Sequence, residues 1–129
     1  MDIVTITLNP ALDLTTRLGT MSLGEVNLVS EASLRAAGKG INVAMVLKDL
    51  GRDVGLTGWL GEDNQQSFVS LFAERSLADH FVRVAGSTRI NVKISEQSGR
   101  VTDLNLPGLT IHEGEVSALE AEIEKLAPR

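Results

Sequence analysis

From Ile3 to Leu8 apolar residues are interleaved with Thr5 and Thr7, and the run stops at Asn9-Pro10, where proline removes a backbone donor and bars a helix. This predicts a first strand that ends in a turn. Leu12 to Leu18 and Glu25 to Val29 read as two further strands, joined through the turn-rich stretch Gly19 to Gly24 as a hairpin with polar outer positions. After Gly38-Lys39-Gly40, the residues Val43, Val46, Leu47 and Leu50 fall on one face of a 3.6-residue period, predicting a helix that Gly51 ends as its C′ residue. Val54 to Trp59 is then a strand, and Asp63 with Gln66 makes a capping-box start for a helix carrying Phe68, Leu71 and Phe72 on one face. Phe81 to Val84 is a short strand. Ile90, Val92 and Ile94 then alternate with Arg89, Asn91 and Lys93, and Gln97-Ser98-Gly99 turns this strand back into Val101 to Leu106, which Pro107-Gly108 stops. The last element is a helix with Val116, Leu119, Ile123 and Leu126 on one stripe and Glu115, Glu120, Glu122 and Glu124 toward water.

Helices between short buried strands predict an α/β core with parallel pairing, and the two hairpin-like stretches predict an appended antiparallel piece. No internal repeat or low-complexity tract is visible, and Pro128-Arg129 follows the last helix directly, so the expected sheet is incomplete. At 129 residues with 43% hydrophobic and 22% charged positions, the chain fits one domain with a packed core and not a disordered segment. Twelve basic against 17 acidic residues leave a net charge of −5, which disfavours a nucleic-acid partner. The absence of cysteine excludes disulfides, thiolate nucleophiles and Cys-held zinc, and suits a reducing cytoplasm. His80 and His112 have no ligand-like spacing, so no protein-held metal is expected. With no secretory pattern at the start and no apolar run of bilayer length, a soluble cytoplasmic protein without a membrane partner is expected.

The cluster Gly38-Lys39-Gly40 is not a Walker A loop, because Gly40 stands where Ser or Thr is needed, and Val43 breaks the dinucleotide fingerprint. What remains is a close backbone approach at Gly38 and Gly40 ahead of a helix N-terminus, which favours an oxygen-rich or anionic ligand. Lys39 adds a point charge, and Asn42 offers both a donor and an acceptor, as sugar hydroxyls do. A plain tight turn with an N-cap fits this segment equally well. Asp13, just past a strand end, could accept hydrogen bonds from a pair of hydroxyls, or be a solvated hairpin carboxylate. Arg89, Asn91 and Lys93 share one strand face and could grip a phosphate, or simply be the wet side. Trp59, Phe68, Phe72 and Phe81 read as core.

The segment Ala37-Gly38-Lys39-Gly40-Ile41-Asn42-Val43-Ala44, with six residues between it and Gly51 and nine between Gly51 and Gly61, is similar to the first signature of the phosphofructokinase-B branch of the ribokinase-like sugar kinases. The opening Thr7-Leu8-Asn9-Pro10-Ala11-Leu12-Asp13, then Thr88-Arg89-Ile90-Asn91-Val92-Lys93, then Thr102-Asp103-Leu104-Asn105-Leu106-Pro107-Gly108 most resemble the fructose-1-phosphate kinase subgroup. The resemblance runs over essentially the whole chain. It implies the amino-terminal part of an α/β, ribokinase-like nucleotide-binding-type core, incomplete here, with a small antiparallel β lid at about residues 12–33 and 88–106.

By the same resemblance, Asp13, Gly38, Lys39 and Asn42 would bind a phosphorylated ketose, and Arg89 with Asn91 would reach it from the lid. ATP and Mg²⁺ are the implied co-substrate and cofactor, and lids in this family commonly pair between subunits, so a homodimer is implied too. Asp103 is a departure, since relatives that use fructose 6-phosphate tend to carry a basic residue near there. The family's second signature, a Gly-Ala-Gly-Asp segment with the catalytic base and anion hole, does not occur in these 129 residues, nor do the nucleotide-contacting segments. No catalytic residue is therefore assigned, and the chain by itself is expected not to turn over. Two readings follow: the sugar-binding part of a kinase acting on fructose 1-phosphate, or a non-catalytic module for sugar-phosphate binding or dimerisation. The choice among fructose 1-phosphate, fructose 6-phosphate and tagatose 6-phosphate stays open.

Overall fold

The first apolar run forms β1 (Ile3–Thr7), which pairs parallel with β4 (Val54–Gly61) in a computed structural model that describes residues 1–127. Parallel strands need a crossover, and α1 (Lys39–Asp49) supplies it. From β4 the chain passes through α2 (Gln66–Glu74) to β5 (Ala78–Asp79) and β6 (Val82–Val84), both parallel to β4. A last helix, α3 (Glu113–Leu126), packs on β4 and β6, and the Trp59 indole N–H donates to the Glu115 carbonyl at 2.9 Å. Pro128-Arg129, read above as following that helix directly, lies outside the described residues.

Central strand β4 is buried at nearly every position, as a parallel strand covered on both faces should be. Its Val54, Leu56 and Leu60 pack with Ile41 and Ala44 of α1 and Phe68 and Phe72 of α2, and Phe72 stacks on Phe81 with ring centroids 5.5 Å apart. The α/β core expected from the alternation of strands and helices is present.

Two expectations about α1 and α2 need correction. The period of α1 is helical and Gly51 ends it at φ 86°, but the buried residues are Ile41 and Ala44; of the expected stripe Leu47 packs against the core, while Val43, Val46 and Leu50 are exposed. Both sides of this helix are apolar, so periodicity gave the pitch without the phase. Helix α2 starts at Gln66 with Gln65 as N-cap and no side-chain cap, not at Asp63, because the loop before it is bonded elsewhere.

The second sheet has the order β3-β2-β7-β8, built from β2 (Ala11–Leu18), β3 (Glu31–Ala37), β7 (Ile90–Glu96) and β8 (Val101–Asn105). Its outer pairings are antiparallel as expected, but the central pair β2 and β7 is parallel, with Asp13 opposite Asn91. Both strands leave the core at one level, where the Leu12 N–H donates to the Arg89 carbonyl at 2.9 Å. The appended piece expected to be antiparallel is thus a mixed sheet. Glu25 to Val29 is not one of its strands: Val26 and Leu28 are 91% and 87% exposed in a loop held by the Asn27 side chain on Ser22 and Glu25. The partner of β2 is instead Glu31–Ala37, a segment of low β-propensity recruited by ladder pairing.

One ion pair ties the sheet edge together. Arg83 Nη2 and Nη1 donate to the two oxygens of Asp79 at 2.7 and 3.0 Å, and its Nε donates to Gln65 Oε1 at 2.7 Å. Burial pushes the Asp79 carboxyl up, but the Arg83 hydrogen bonds, the Phe81 N–H and the guanidinium charge outweigh it and hold the group below 3.8. A depressed folded-state value means that this stabilisation is present above about pH 4 and is lost as pH falls through the lowered value. Asp79→Asn is expected to lower stability at pH 7 by about 1 kcal/mol and to flatten its acid dependence, read from urea midpoints between pH 7 and 3.

Candidate functional site

The cleft forms where β1 ends and α1 begins. Gly38 is the N-cap residue in an extended conformation, and the Asn42 N–H makes the first bond of the helix, to the Gly38 carbonyl at 2.9 Å. No side chain caps this terminus and no acid lies in its first turn, so its leading N–H groups remain for another partner. A Cβ on Gly40 would strike Thr7 Oγ1 and come within 2.9 Å of the Ile6 carbonyl oxygen, and one on Gly38 would sit 2.7 Å from Thr7 Cγ2. Two glycines are what let the helix start touch the strand end.

Asp13, Gly38, Lys39, Asn42, Arg89 and Asn91 all line this one cleft, of about 460 Å³, together with Thr7, Asn9 and Ala11. The structure brings all six sequence-nominated residues together. Lys39 and Asn42 are exposed at the helix start, whereas Asp13, Arg89 and Asn91 are half-buried. Asn91 Nδ2 donates weakly to Asp13 Oδ1 at 3.4 Å, and Arg89 Nη2 donates to the Asn9 carbonyl at 3.2 Å. Among the described residues, four buried polar side-chain atoms lack partners: Thr5 Oγ1, Thr7 Oγ1, Arg89 Nε and Asn91 Oδ1. Three of the four belong to residues lining the cleft. Such orphans cost free energy unless a ligand supplies the missing bonds. Here the demand is for an anionic oxygen at Arg89, a hydroxyl donor at Asn91, and either at Thr7.

Charge is graded across the site. The main cleft sets Lys39 and Arg89 against Asp13. A smaller recess of about 190 Å³ continues past Asp13 and Asn91 to Lys93, Asp103 and Asn105, and there Lys93 Nζ lies 3.7 Å from Asp103 Oδ1. An anion fits the first end; hydroxyls fit the second. On the other side of Asp13 and Asn42 a groove of about 690 Å³ runs between Leu34, Met45 and Leu71, but none of its lining residues holds an unpartnered buried polar atom. Among the described residues no group of three or more His, Cys, Asp or Glu is placed to hold a metal, and no helix is long and apolar enough to cross a membrane.

Sequence reasoning missed Thr7 and Asn9 as lining residues and took Asp103 only as a departure from a pattern. The available signal for Thr7 was its place as the last polar residue before a strand-ending turn. For Asp103 it was the register of the second hairpin, which puts it opposite Lys93.

A model of the pfkB family of carbohydrate kinases matches residues 6–127. The chain is 54% identical over 125 residues to a 1-phosphofructokinase of Vibrio cholerae, covering 97% of this chain and 39% of that protein. It is 55% identical over 109 residues to a 1-phosphofructokinase of Escherichia coli, covering 84% of this chain and 35% of that one. Among solved structures, phosphofructokinase-2 of Escherichia coli in complex with fructose 6-phosphate superposes with a TM-score of 0.82 at 26% identity, covering 97% of this chain and 42% of the other. The chain thus spans about two fifths of the length of these relatives.

Gly40→Ala is expected to force α1 away from β1 and to cost about 1–3 kcal/mol in urea unfolding. Gly114→Ala, where an added Cβ meets nothing within 4 Å, is the control and is expected to be neutral or slightly stabilising.

Proposed function

The chain belongs to the pfkB family of carbohydrate kinases, and from that membership we propose that its cleft is the sugar-phosphate side of an ATP-dependent kinase that converts fructose 1-phosphate to fructose 1,6-bisphosphate. The observation that carries this reading is the convergence of Thr7, Arg89 and Asn91, each with an unpartnered buried polar atom, on one cleft that also holds Lys39. The printed names of the two bacterial relatives support the choice of ketose.

In this proposal Lys39 and the Arg89 guanidinium take the substrate's phosphate, helped by the free N–H groups at the start of α1. Asp13 accepts hydrogen bonds from ketose hydroxyls, and Asn42 and Asn91 each supply a donor and an acceptor. Asp103 beside Lys93 partly neutralises that lysine, so the recess beyond Asp13 receives hydroxyls and not a second phosphate. These residues bind and orient. ATP is the phosphoryl donor that the family reaction uses, with Mg²⁺ as its partner ion; the described residues offer no ligand cluster that fits the ion, and no step is derived through it. The base and anion hole of phosphoryl transfer are not among the residues of the cleft, so these 129 residues by themselves bind the ketose phosphate without phosphorylating it. A cytoplasmic location belongs to the same proposal.

A second reading, a non-catalytic sugar-phosphate-binding or dimerisation module, is favoured by the apolar face of the second sheet. There Leu34, Leu14, Val92 and Leu104 stand in one row across all four strands, and Leu34 and Leu104 are about half exposed. A homodimer that pairs these faces accommodates either reading.

Calorimetric titration tests the function. Fructose 1-phosphate is expected to bind saturably and more tightly than fructose 6-phosphate, and Arg89→Ala or Asp13→Ala to weaken it at least about tenfold. Absence of saturable binding up to millimolar ligand would remove the reading. Asp103→Lys is expected to raise affinity for fructose 1,6-bisphosphate relative to fructose 1-phosphate, and ATP-dependent phosphorylation by the 129-residue chain alone would contradict the predicted inactivity.

A further inference from the structure

We infer that Asn64, in the loop between β4 and α2, is a positioning residue that fixes Arg89 over the cleft; this rests on the reading above, in which Arg89 takes the phosphate. The Asn64 amide grips the backbone of Thr88 at two points. The Thr88 N–H donates to Asn64 Oδ1 at 2.8 Å, and Asn64 Nδ2 donates to the Thr88 carbonyl at 2.8 Å. Thr88 is 1% exposed, and its hydroxyl accepts the Gly61 N–H at 2.8 Å. Behind this contact, the Glu62 and Asp63 N–H groups donate to the Val84 and Gly86 carbonyls at 2.9 and 3.0 Å. The end of β4 is therefore laced to the segment 84–88, and the lacing ends one residue before Arg89. Gly61 permits it, since a Cβ there would strike the Thr88 nitrogen and sit 2.7 Å from the Gly86 carbonyl oxygen.

Three features argue for positioning over plain stability. The chain passes between the core and the second sheet near Asn9-Pro10, at Gly38, at Thr88 and between Asn105 and Glu113, and among the described residues only the crossing at Thr88 is held by hydrogen bonds from a core side chain. Asn64 adjoins the N-cap residue Gln65, yet α2 has no side-chain cap and the Asn64 amide is committed on both sides to Thr88. The bonded groups also belong to the two peptide planes that flank the Thr88 Cα, and the second of these planes carries the Arg89 nitrogen. With the Arg89 carbonyl accepting the Leu12 N–H at 2.9 Å, the backbone on both sides of Arg89 is fixed while its Nε has no protein partner. Holding a charged donor in place before its ligand arrives is preorganisation.

The test uses the 129-residue chain with Asn64→Ala and with the milder Asn64→Asp, which keeps the acceptor and loses the donor. Without ligand, the ¹⁵N-detected Arg89 Nε–H signal is expected to shift or broaden in both variants while the amide signals of β4, α1 and α2 stay dispersed. An unchanged Arg89 signal overturns the inference. With fructose 1-phosphate, Asn64→Ala is expected to weaken binding at least about tenfold, and to cost nothing further in an Arg89→Ala background. An equal loss in that background shows a role in general stability and also overturns it. If Asn64→Ala does not fold, Asn64→Asp decides. If the unaltered chain fails to bind fructose 1-phosphate, the substrate reading falls, and the ligand-free Arg89 signal still decides whether Asn64 positions it.

Discussion

The cleft depends first on the contact between the end of β1 and the start of α1. Thr7 and Ile6 leave no room for a side chain at Gly38 or Gly40, so the helix N-terminus lies directly on the strand end and its free N–H groups border the cleft. A residue with a Cβ at Gly40 would have to push the helix outward, and Lys39 and Asn42 would move with it. The lid depends on the same junction, because β2 follows β1 across the Asn9-Pro10 turn and β3 runs straight into Gly38. The glycine end of the cleft is therefore fixed by backbone packing and only furnished by side chains.

The second sheet adds the other half of the cleft through the two-residue period of its strands. One row across the sheet reads Arg35, Asp13, Asn91 and Asn105; the next reads Leu34, Leu14, Val92 and Leu104. Successive residues point to opposite faces, so a single sheet presents a polar surface on one side and an apolar one on the other. A one-residue slip of β7 against β2 would exchange them. The grip of Asn64 on Thr88, immediately before β7, acts where such a slip would begin.

Much of this was legible in the sequence, and the misses share a cause. The six cleft residues were found because glycine spacing, the strand-ending proline and the alternation around Arg89 are local signals. The mixed lid was not, because the parallel pairing of β2 with β7 joins segments far apart in the chain and leaves no local mark. Val26 and Leu28 looked like strand residues by composition, yet they are exposed, while Ala32, Ala36 and Ala37 pair with β2 despite weak intrinsic preference. Asp63 promised a cap, but the adjoining Asn64 and the backbone of that loop were already bonded to the lid connection.

The phase error at α1 has a different origin and says something about the molecule. A helix that is apolar on one side only would have been placed correctly; this one carries Ile41 and Ala44 against the sheet and Val43, Val46 and Leu50 in the open. β1 lies at the end of its sheet with only β4 beside it among the described residues, and Ile6 and Leu8 are half exposed there. An isolated exposed leucine needs no explanation, but apolar side chains on both an edge strand and the helix that packs on it mark a surface suited to cover. The relatives that this chain matches are more than twice as long as the stretch they share with it. The apolar stripe read from the sequence is therefore split: Leu47 turns to the core, while Val43, Val46 and Leu50 are left bare among the described residues.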